Sequence, residues 1–178
     1  MKTQKLRLLL TLLFALVLLI GLPAVQAQGY TLGEGTCGDD LTWVLDDTGT
    51  LTVSGTGAIW NFEHTAGENH YLPPWNSVKD FVTRIVLESG VTGVGSDAFA
   101  FCYNLEEVVL PDTVAVLGKE CFSWCTALDS ITIPGSVETW GSGVFFGCEN
   151  LTEIILQDGL YAITLKVQQN RDAGMPSY

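Results

Sequence analysis

The residues that could carry chemistry in this 178-residue chain are five cysteines: Cys37, Cys102, Cys121, Cys125 and Cys148. A cysteine can act as a nucleophile, a metal ligand or half of a disulfide. Cys121 and Cys125 are four residues apart and, with Cys102 or Cys148, could form a thiolate zinc site, although no second pair with zinc spacing exists. Because the count is odd, at least one thiol stays free or pairs between chains. The redox states of Cys37 and Cys121 stay open.

Histidines and carboxylates offer weaker alternatives. His64 and His70 flank "TAGEN", which makes a metal site in a loop conceivable, but exposed polar loop residues are the simpler interpretation. A glycosidase needs a carboxyl group of raised pKa inside a cleft, whereas the acidic residues here fall near predicted turns and on solvent-facing strand positions. No serine–histidine–aspartate or cysteine–histidine order is apparent. We therefore expect no catalysis, no metal and no cofactor.

The segment from Met1 to Ala27 has the features of a secretory signal peptide. A basic head, "MKTQKLR", precedes the apolar run "LLLTLLFALVLLI" and the small residues of "GLPAVQA", which predicts cleavage after Ala27. Residues 28–178 then carry five basic and 20 acidic side chains, a formal net charge of −15. Such a chain repels nucleic acid and anionic membranes, so we expect neither as a partner. The predicted location is secreted or extracellular, at the cell surface.

A sequence repeat organises the second half of the chain. The units cover residues 85–107, 108–130 and 131–153, and a fourth begins at Ile154. Equivalent positions of the units keep their residue type, as in Phe99, Phe122, Phe145; Cys102, Cys125, Cys148; Leu105, Leu128, Leu151; and Gly95, Gly118, Gly141. One such unit cannot bury its own apolar face, but stacked copies can.

Each unit predicts the same elements. "LEEVVL", "LDSITI" and "LTEIIL" are typical of a short strand with one buried face, and "PDTV" and "PGSV" of a turn. "DAFAFC", "ECFSWC" and "GVFFGC" suggest a short helical return, with Phe and Cys three residues apart on one face. Cys102, Cys125 and Cys148 are therefore predicted to form a structural row in the core, as small apolar residues rather than disulfides.

The unit "L-x-x-I-x-I-P-x-x-V-x-x-x-G-x-x-x-F-x-x-C" resembles the cysteine-containing, 23-residue leucine-rich repeats of BspA-like bacterial surface proteins. The resemblance covers residues 82–160 as repeats and extends to "CGDDLTWVLDDTGTLTVSGTGAI", which resembles their N-terminal cap. It implies an α/β solenoid: a right-handed leucine-rich-repeat stack with a short parallel β-sheet, a helical or irregular back and an N-terminal β-hairpin cap. It also implies a non-enzymatic protein of adhesion or protein–protein recognition.

Four parts follow along the chain: a signal peptide (1–27), an N-terminal β-hairpin cap region (28–80), leucine-rich repeats (81–160), and a C-terminal strand with a disordered tail (161–178). "LTWVL" and "TLTVSG" alternate as strands around the turn "DDTG". We expect the core of the cap to contain Trp60, Phe62 and Trp75. "YAITLKV" predicts one last strand, and disorder is expected after Gln168.

The outward strand positions form the predicted binding surface, because solenoids usually bind through their sheet face. The candidate residues are Arg84, Val86, Glu107, Val109, Asp129, Thr132, Glu153 and Ile155. The expected partner of a monomeric chain is a surface or matrix protein of a host or neighbouring cell. Two alternatives stay open: a carbohydrate-binding module using Trp60, Trp75, Trp124 or Trp140, or a structural fragment of a longer surface protein.

Overall fold

The computed structural model describes residues 29–63, 72–157 and the backbone of 162–166. The described residues from Thr31 onward belong to one unit. Three predictions lie outside these ranges: the signal peptide, the histidine loop and the disorder after Gln168.

Three antiparallel strands begin the unit: β1 (Thr31–Gly38), β2 (Asp40–Asp46) and β3 (Thr50–Ala58). Strands β2 and β3 are the predicted hairpin, and their alternate residues are buried, including Leu41, Trp43 and Leu45. Asp46 closes the turn between them, since its carboxylate accepts hydrogen bonds from the backbone N–H groups of Thr48 (2.9 Å) and Thr50 (3.0 Å). The alternating pattern therefore placed this hairpin correctly.

Strand β1 was not expected from the sequence, because the glycine-rich "TLGEGTCG" has low strand propensity. Its glycines instead allow a close approach to Trp43 of β2. A Cβ atom on Gly33 would lie 2.7 Å from Cη2 of the Trp43 indole, and one on Gly35 would lie 3.0 Å from its Nε1. Strand β1 thus covers the indole where a larger residue would not fit.

Short strands follow β3 along the chain. A short 3-10 turn, Lys79–Phe81, precedes β4 (Arg84–Leu87), and the following strands are β5 (Val91–Val94), β6 (Glu107–Val109), β7 (Val116–Leu117), β8 (Ser130–Ile133), β9 (Thr139–Trp140), β10 (Glu153–Gln157) and β11 (Ala162–Lys166). Parallel strands extend the sheet from β3 in two directions, towards β4 and β6 and towards β5, β7 and β9, while β8, β10 and β11 form a separate three-stranded sheet. We call β4, β6, β8 and β10 the front row, and β5, β7 and β9 the second row. Strand β11, antiparallel to β10, coincides with the predicted last strand.

The register of these strands follows the sequence period. Strand β4 pairs with β6 so that Arg84 lies beside Glu107, and β8 pairs with β10 so that Ser130 lies beside Glu153. In the second row, Gly93, Val116 and Thr139 are successive partners. All these partners occupy equivalent positions of successive units, so each repeat stacks directly on the previous one.

The core lies between the two rows and the turns that join them. Its centre is a column of stacked rings in which Trp75, Phe99, Phe122 and Phe145 follow one another at centroid distances of 5.0, 5.5 and 5.9 Å. The Trp75 indole donates a hydrogen bond to the Ala98 carbonyl oxygen (2.9 Å), which fixes the first ring of the column. The segment before the repeats thereby supplies the first layer of their core.

The predicted helical return is wrong: "DAFAFC", "ECFSWC" and the third such segment form irregular turns, and the described residues contain no α-helix. Backbone N–H groups of Asp97, Phe99 and Phe101 donate to carbonyl oxygens of the next repeat at 2.8–2.9 Å. The intervening N–H groups of Ala98 and Ala100 donate to carbonyl oxygens of their own repeat. An α-helix would use its N–H groups internally and leave few to join the repeats. Of the two predicted forms for the back of the repeats, helical or irregular, the structure shows the irregular one.

Candidate functional site

The outward positions of the front row lie side by side in two pairs. Val86 is the register partner of Val109, and Thr132 is the partner of Ile155. Val109 is exposed, whereas the other three are half-buried. The structure therefore brings the predicted β-branched residues together within each pair, on the side of the sheet away from the core.

A groove separates the two pairs. Strands β6 and β8 do not pair with each other in the part of the chain that the structure describes, so the front row is interrupted between the second and third units. Beneath the interruption the core is continuous, since Val108 and Ile131 are both buried. The groove has a volume of about 350 Å³ and is lined by Glu106, Glu107, Val108, Val109, Leu110, Ser130, Ile131, Thr132, Pro134 and Gln157.

The charge around the groove is acidic. Glu106 and Glu107 line it, and no lining residue is basic. Arg84 lies at the edge of this region, where its Nε is 2.8 Å from the Glu107 carboxylate. Both side chains are largely exposed, so this ion pair stabilises the fold by at most ~1 kcal/mol. Asp129 and Glu153 add two carboxylates along the same row without lining the groove.

The cysteines lie in the core as thiols. Cys37, Cys102, Cys121 and Cys125 are buried, Cys148 is half-buried, and none of them forms a disulfide. The Cys125 thiol donates to the Phe99 carbonyl oxygen (3.3 Å), and the Cys148 thiol donates to the equivalent oxygen of Phe122 (3.1 Å). The repeat thus gives two successive cysteines the same hydrogen bond.

Burial makes most of these thiols unreactive. It raises the pKa of Cys37 and of Cys102 to about 12, and it raises the pKa of Cys121 further. The Cys125–Cys148 pair differs, because once Cys148 loses its proton the Cys125 thiol can donate to its sulfur instead of to the Phe99 oxygen, which lowers the pKa of Cys148 and raises that of Cys125. Cys148 is therefore the thiol of this pair that ionises first. Within the described ranges, no three His, Cys, Asp or Glu side chains come together as a metal site.

The four candidate tryptophans have different environments. Trp75 is fully buried, and Trp60 is half-buried with its Nε1 donating to the Asp39 carboxylate at 3.0 Å. Trp124 and Trp140 are exposed. Sequence reasoning missed that Trp124 lies in a row with Phe101, Tyr103 and Phe146. The signal was present, because Phe101 and Trp124 occupy equivalent positions of successive units.

No helix in the described part of the chain is long and apolar enough to cross a membrane.

Comparison with known proteins identifies the class of this repeat stack. The model of the BspA type leucine rich repeat region matches six copies over residues 78–171, more than half of the chain. The chain therefore belongs to the BspA-type leucine-rich-repeat family. No curated protein matched in sequence.

Three solved structures illustrate the similarity. A leucine-rich repeat protein from Eubacterium ventriosum is 24% identical, with a TM-score of 0.47 over 70% of this chain and 44% of that one. A leucine rich repeat protein from T. pallidum is 21% identical (TM-score 0.36; 68% and 67% covered). A leucine rich cell surface protein from Faecalibacterium prausnitzii is 21% identical (TM-score 0.35; 72% and 42% covered). The chain spans less than half the length of the first and third of these proteins.

Proposed function

We propose that this chain is a secreted or cell-surface, non-enzymatic module that recognises another protein through the front row of its repeats. The observation that carries the proposal is the groove between β6 and β8. Its volume of about 350 Å³ is near the lower end of the ~300–1,000 Å³ that small-molecule pockets occupy. A half-open groove of this size suits one side chain projecting from a partner protein, with the flanking strands contacting the surface around it.

The chemistry of the groove favours a basic partner side chain. Glu106 and Glu107 line the groove, with Glu107 also paired to Arg84 at its edge, while Val109 and Thr132 supply apolar contact on its two sides. A lysine or arginine side chain matches both features, because its stem is apolar and its end is positive. Opposite charges also speed the encounter of two proteins and select the partner.

The proposal includes the setting of the protein. A signal peptide removed after Ala27 would export it, and the repeat stack would be a right-handed solenoid that acts as a monomer. Adhesion to a surface or matrix protein of a host or neighbouring cell is the expected role. A face of so few repeats gives a small footprint and modest affinity, which display in many copies would increase.

The test is a binding screen of the chain from residue 28 onward against an array of matrix and cell-surface proteins. Val109→Lys with Thr132→Lys places two positive charges at the groove. Val116→Lys with Thr139→Lys is the matched control, since these residues are exposed partners in the second row. We expect the first pair to weaken binding to an array hit at least tenfold and the control to leave it unchanged. Equal affinities for the two double variants would refute the front row as the binding surface.

A further inference from the structure

Four aromatic side chains form a continuous row along the turns at the back of the repeats. Phe101 lies parallel to Trp124, with an angle of 8° between the rings and 6.5 Å between their centroids. Tyr103 meets Phe101 edge-on at 6.1 Å, and Phe146 meets Trp124 edge-on at 5.6 Å. We call Phe101, Tyr103, Trp124 and Phe146 the aromatic row.

The aromatic row is accessible to a ligand. Tyr103 is 45% exposed, Trp124 36% and Phe146 60%, while Phe101 is half-buried. The buried ring column of Phe99, Phe122 and Phe145 already fills the core at this level. The aromatic row is therefore a second layer of rings outside the core, and the packing that explains the first layer does not explain the second.

The backbone beneath the aromatic row adopts a left-handed conformation, which is energetically costly for any residue that has a side chain. Phe101 and Trp124 have positive φ angles of 62° and 59°, a left-handed conformation that costs a residue with a side chain about 1–2 kcal/mol. In the third unit the same position is Gly147, with a φ of 75°. Glycine is the residue that this conformation favours. Two bulky aromatic residues thus occupy places where glycine would be more stable. Asp97 and Glu120, at the other repeated turn position, also have positive φ angles of 54° and 53°, so this conformation belongs to the turn of the repeat. The exposure of the rings, rather than the backbone conformation, therefore marks the candidate binding site.

Gly147 also fixes the position of the central ring. The Trp124 indole lies so close that a Cβ atom on Gly147 would be 2.6 Å from its Cδ2. The Trp124 backbone N–H donates to the Phe146 carbonyl oxygen at 2.7 Å, which holds the two repeats together at the same point. The indole is consequently held in place before any ligand binds, which lowers the entropic cost of binding.

We propose that the aromatic row binds a neutral oligosaccharide. The face of a sugar ring carries C–H groups, which pack against the electron-rich face of an aromatic ring. Successive rings at intervals of 5.6–6.5 Å present a repeating surface, and an oligosaccharide is a ligand with a repeating structure. The Tyr103 hydroxyl group offers hydrogen bonds to sugar hydroxyls. The Thr126 hydroxyl, at the equivalent position of the next repeat, donates its proton to the Tyr103 backbone carbonyl oxygen (3.2 Å), so it can only accept a hydrogen bond from a sugar.

Charge decides against anionic ligands that would also stack on aromatic rings. Residues 28–178 have a formal net charge of −15, so nucleic acids and acidic polysaccharides would be repelled. The aromatic row contains no cationic side chain that could offset this repulsion. A neutral sugar chain incurs no such cost.

The test uses the chain from residue 28 onward and immobilised neutral hexasaccharides of glucose, mannose and N-acetylglucosamine, with a polyuronate as the anionic comparison. Trp124→Ala removes the central ring, and Trp124→Phe retains a smaller one. Trp140→Ala is the matched control, because Trp140 is similarly exposed but contacts Phe145 of the core rather than the aromatic row. Thermal unfolding followed by circular dichroism verifies that each variant is folded.

We expect at least one neutral hexasaccharide to bind. Trp124→Ala should weaken that binding about tenfold, which corresponds to about 1.4 kcal/mol, with partial recovery in Trp124→Phe. Trp140→Ala and the Val109→Lys, Thr132→Lys pair should bind as the parent does, which separates this site from the front row. The proposal is overturned if no neutral hexasaccharide binds, if the polyuronate binds better, or if Trp124→Ala binds equally well. Loss of an array protein, but of no sugar, in Trp124→Ala would assign the aromatic row to protein recognition instead.

Discussion

Replacing Gly147 by alanine tests how the back of the repeats is built. Two effects are expected. A positive φ of 75° costs alanine about 1–2 kcal/mol, of which about 0.4–1 kcal/mol is regained because alanine restricts the unfolded chain. The new methyl group would also lie 2.6 Å from the Trp124 indole. Displacing a packed side chain in this way costs about 1–3 kcal/mol. Together these effects predict a loss of about 2–3 kcal/mol in the free energy of unfolding.

Gly143→Ala provides the matched control for the backbone effect alone. Gly143 also has a positive φ, of 66°, but the nearest atom to an added Cβ is the Cγ of Glu120, at 3.2 Å on a flexible side chain. This variant should therefore lose only about 0.5–1 kcal/mol, the strain less the gain in the unfolded chain. The difference between the two variants measures the contact with Trp124.

Urea denaturation of Gly147→Ala, Trp124→Ala and the double variant forms a double-mutant cycle that isolates this contact. Without the indole, Gly147→Ala should cost no more than Gly143→Ala, which gives a coupling of about 1–2 kcal/mol. In thermal unfolding, the single Gly147→Ala change should lower Tm by about 5–10 °C for a chain of this length. If Gly147→Ala costs the same with and without Trp124, the indole does not lie on Gly147.

Two further predictions concern ionisable groups. Partial burial acts to raise the pKa of Asp46, but hydrogen bonds from Thr48 and Thr50 outweigh it and hold the pKa below its usual value. The turn is therefore more stable above the usual aspartate pKa and loses that stability as the pH falls through the lowered value, so Asp46→Ala should cost about 1 kcal/mol at pH 7 and less at pH 2 in urea titrations. An equal cost at both pH values would contradict this. Iodoacetamide should alkylate Cys148 of the folded protein well before Cys102, as followed by mass spectrometry at increasing pH, because the pKa of Cys148 is lowered and that of Cys102 is raised to about 12. Equal rates for the two thiols would show that the core opens as easily at both.

The repeat period predicted how the units stack, because side chains at equivalent positions fill the same place in the core of each unit. The regular spacing predicts that the rings of Phe99, Phe122 and Phe145 lie on one another, as they do. The register of the strands follows the same period. The hairpin was equally accessible, since "DDTG" and the flanking alternation are local signals. These features depend on neighbours in sequence or on the period itself, and both can be read from one sequence.

The turns could not be predicted in the same way. The spacing of Phe99 and Cys102 fits a helix as well as a turn that repeats every unit, and the choice between them is made by hydrogen bonds to the next repeat. The glycines at 143 and 147 were the available signal, because they stand where the other units have residues of positive φ. The groove left no signal at all: Val109 and Thr132 occupy equivalent positions in regular units, yet β6 and β8 are not paired in the described structure.

Departures from the repeat separate core positions from candidate binding positions. The positions equivalent to Cys121 in the neighbouring units hold Ala98 and Val144 rather than cysteine, and all three residues are buried. That position needs only a small apolar side chain, so the departure has a sufficient explanation in packing. The position of Phe101 and Trp124 is different, because the backbone there favours glycine and the Trp124 ring is 36% exposed outside the core, while Phe101 is half-buried. The backbone conformation alone does not explain the ring, since Asp97 and Glu120 share it, but a bound ligand would explain a large exposed ring where the third unit has glycine. On that ground Trp124, rather than any of the cysteines, is the residue whose substitution tells most about function.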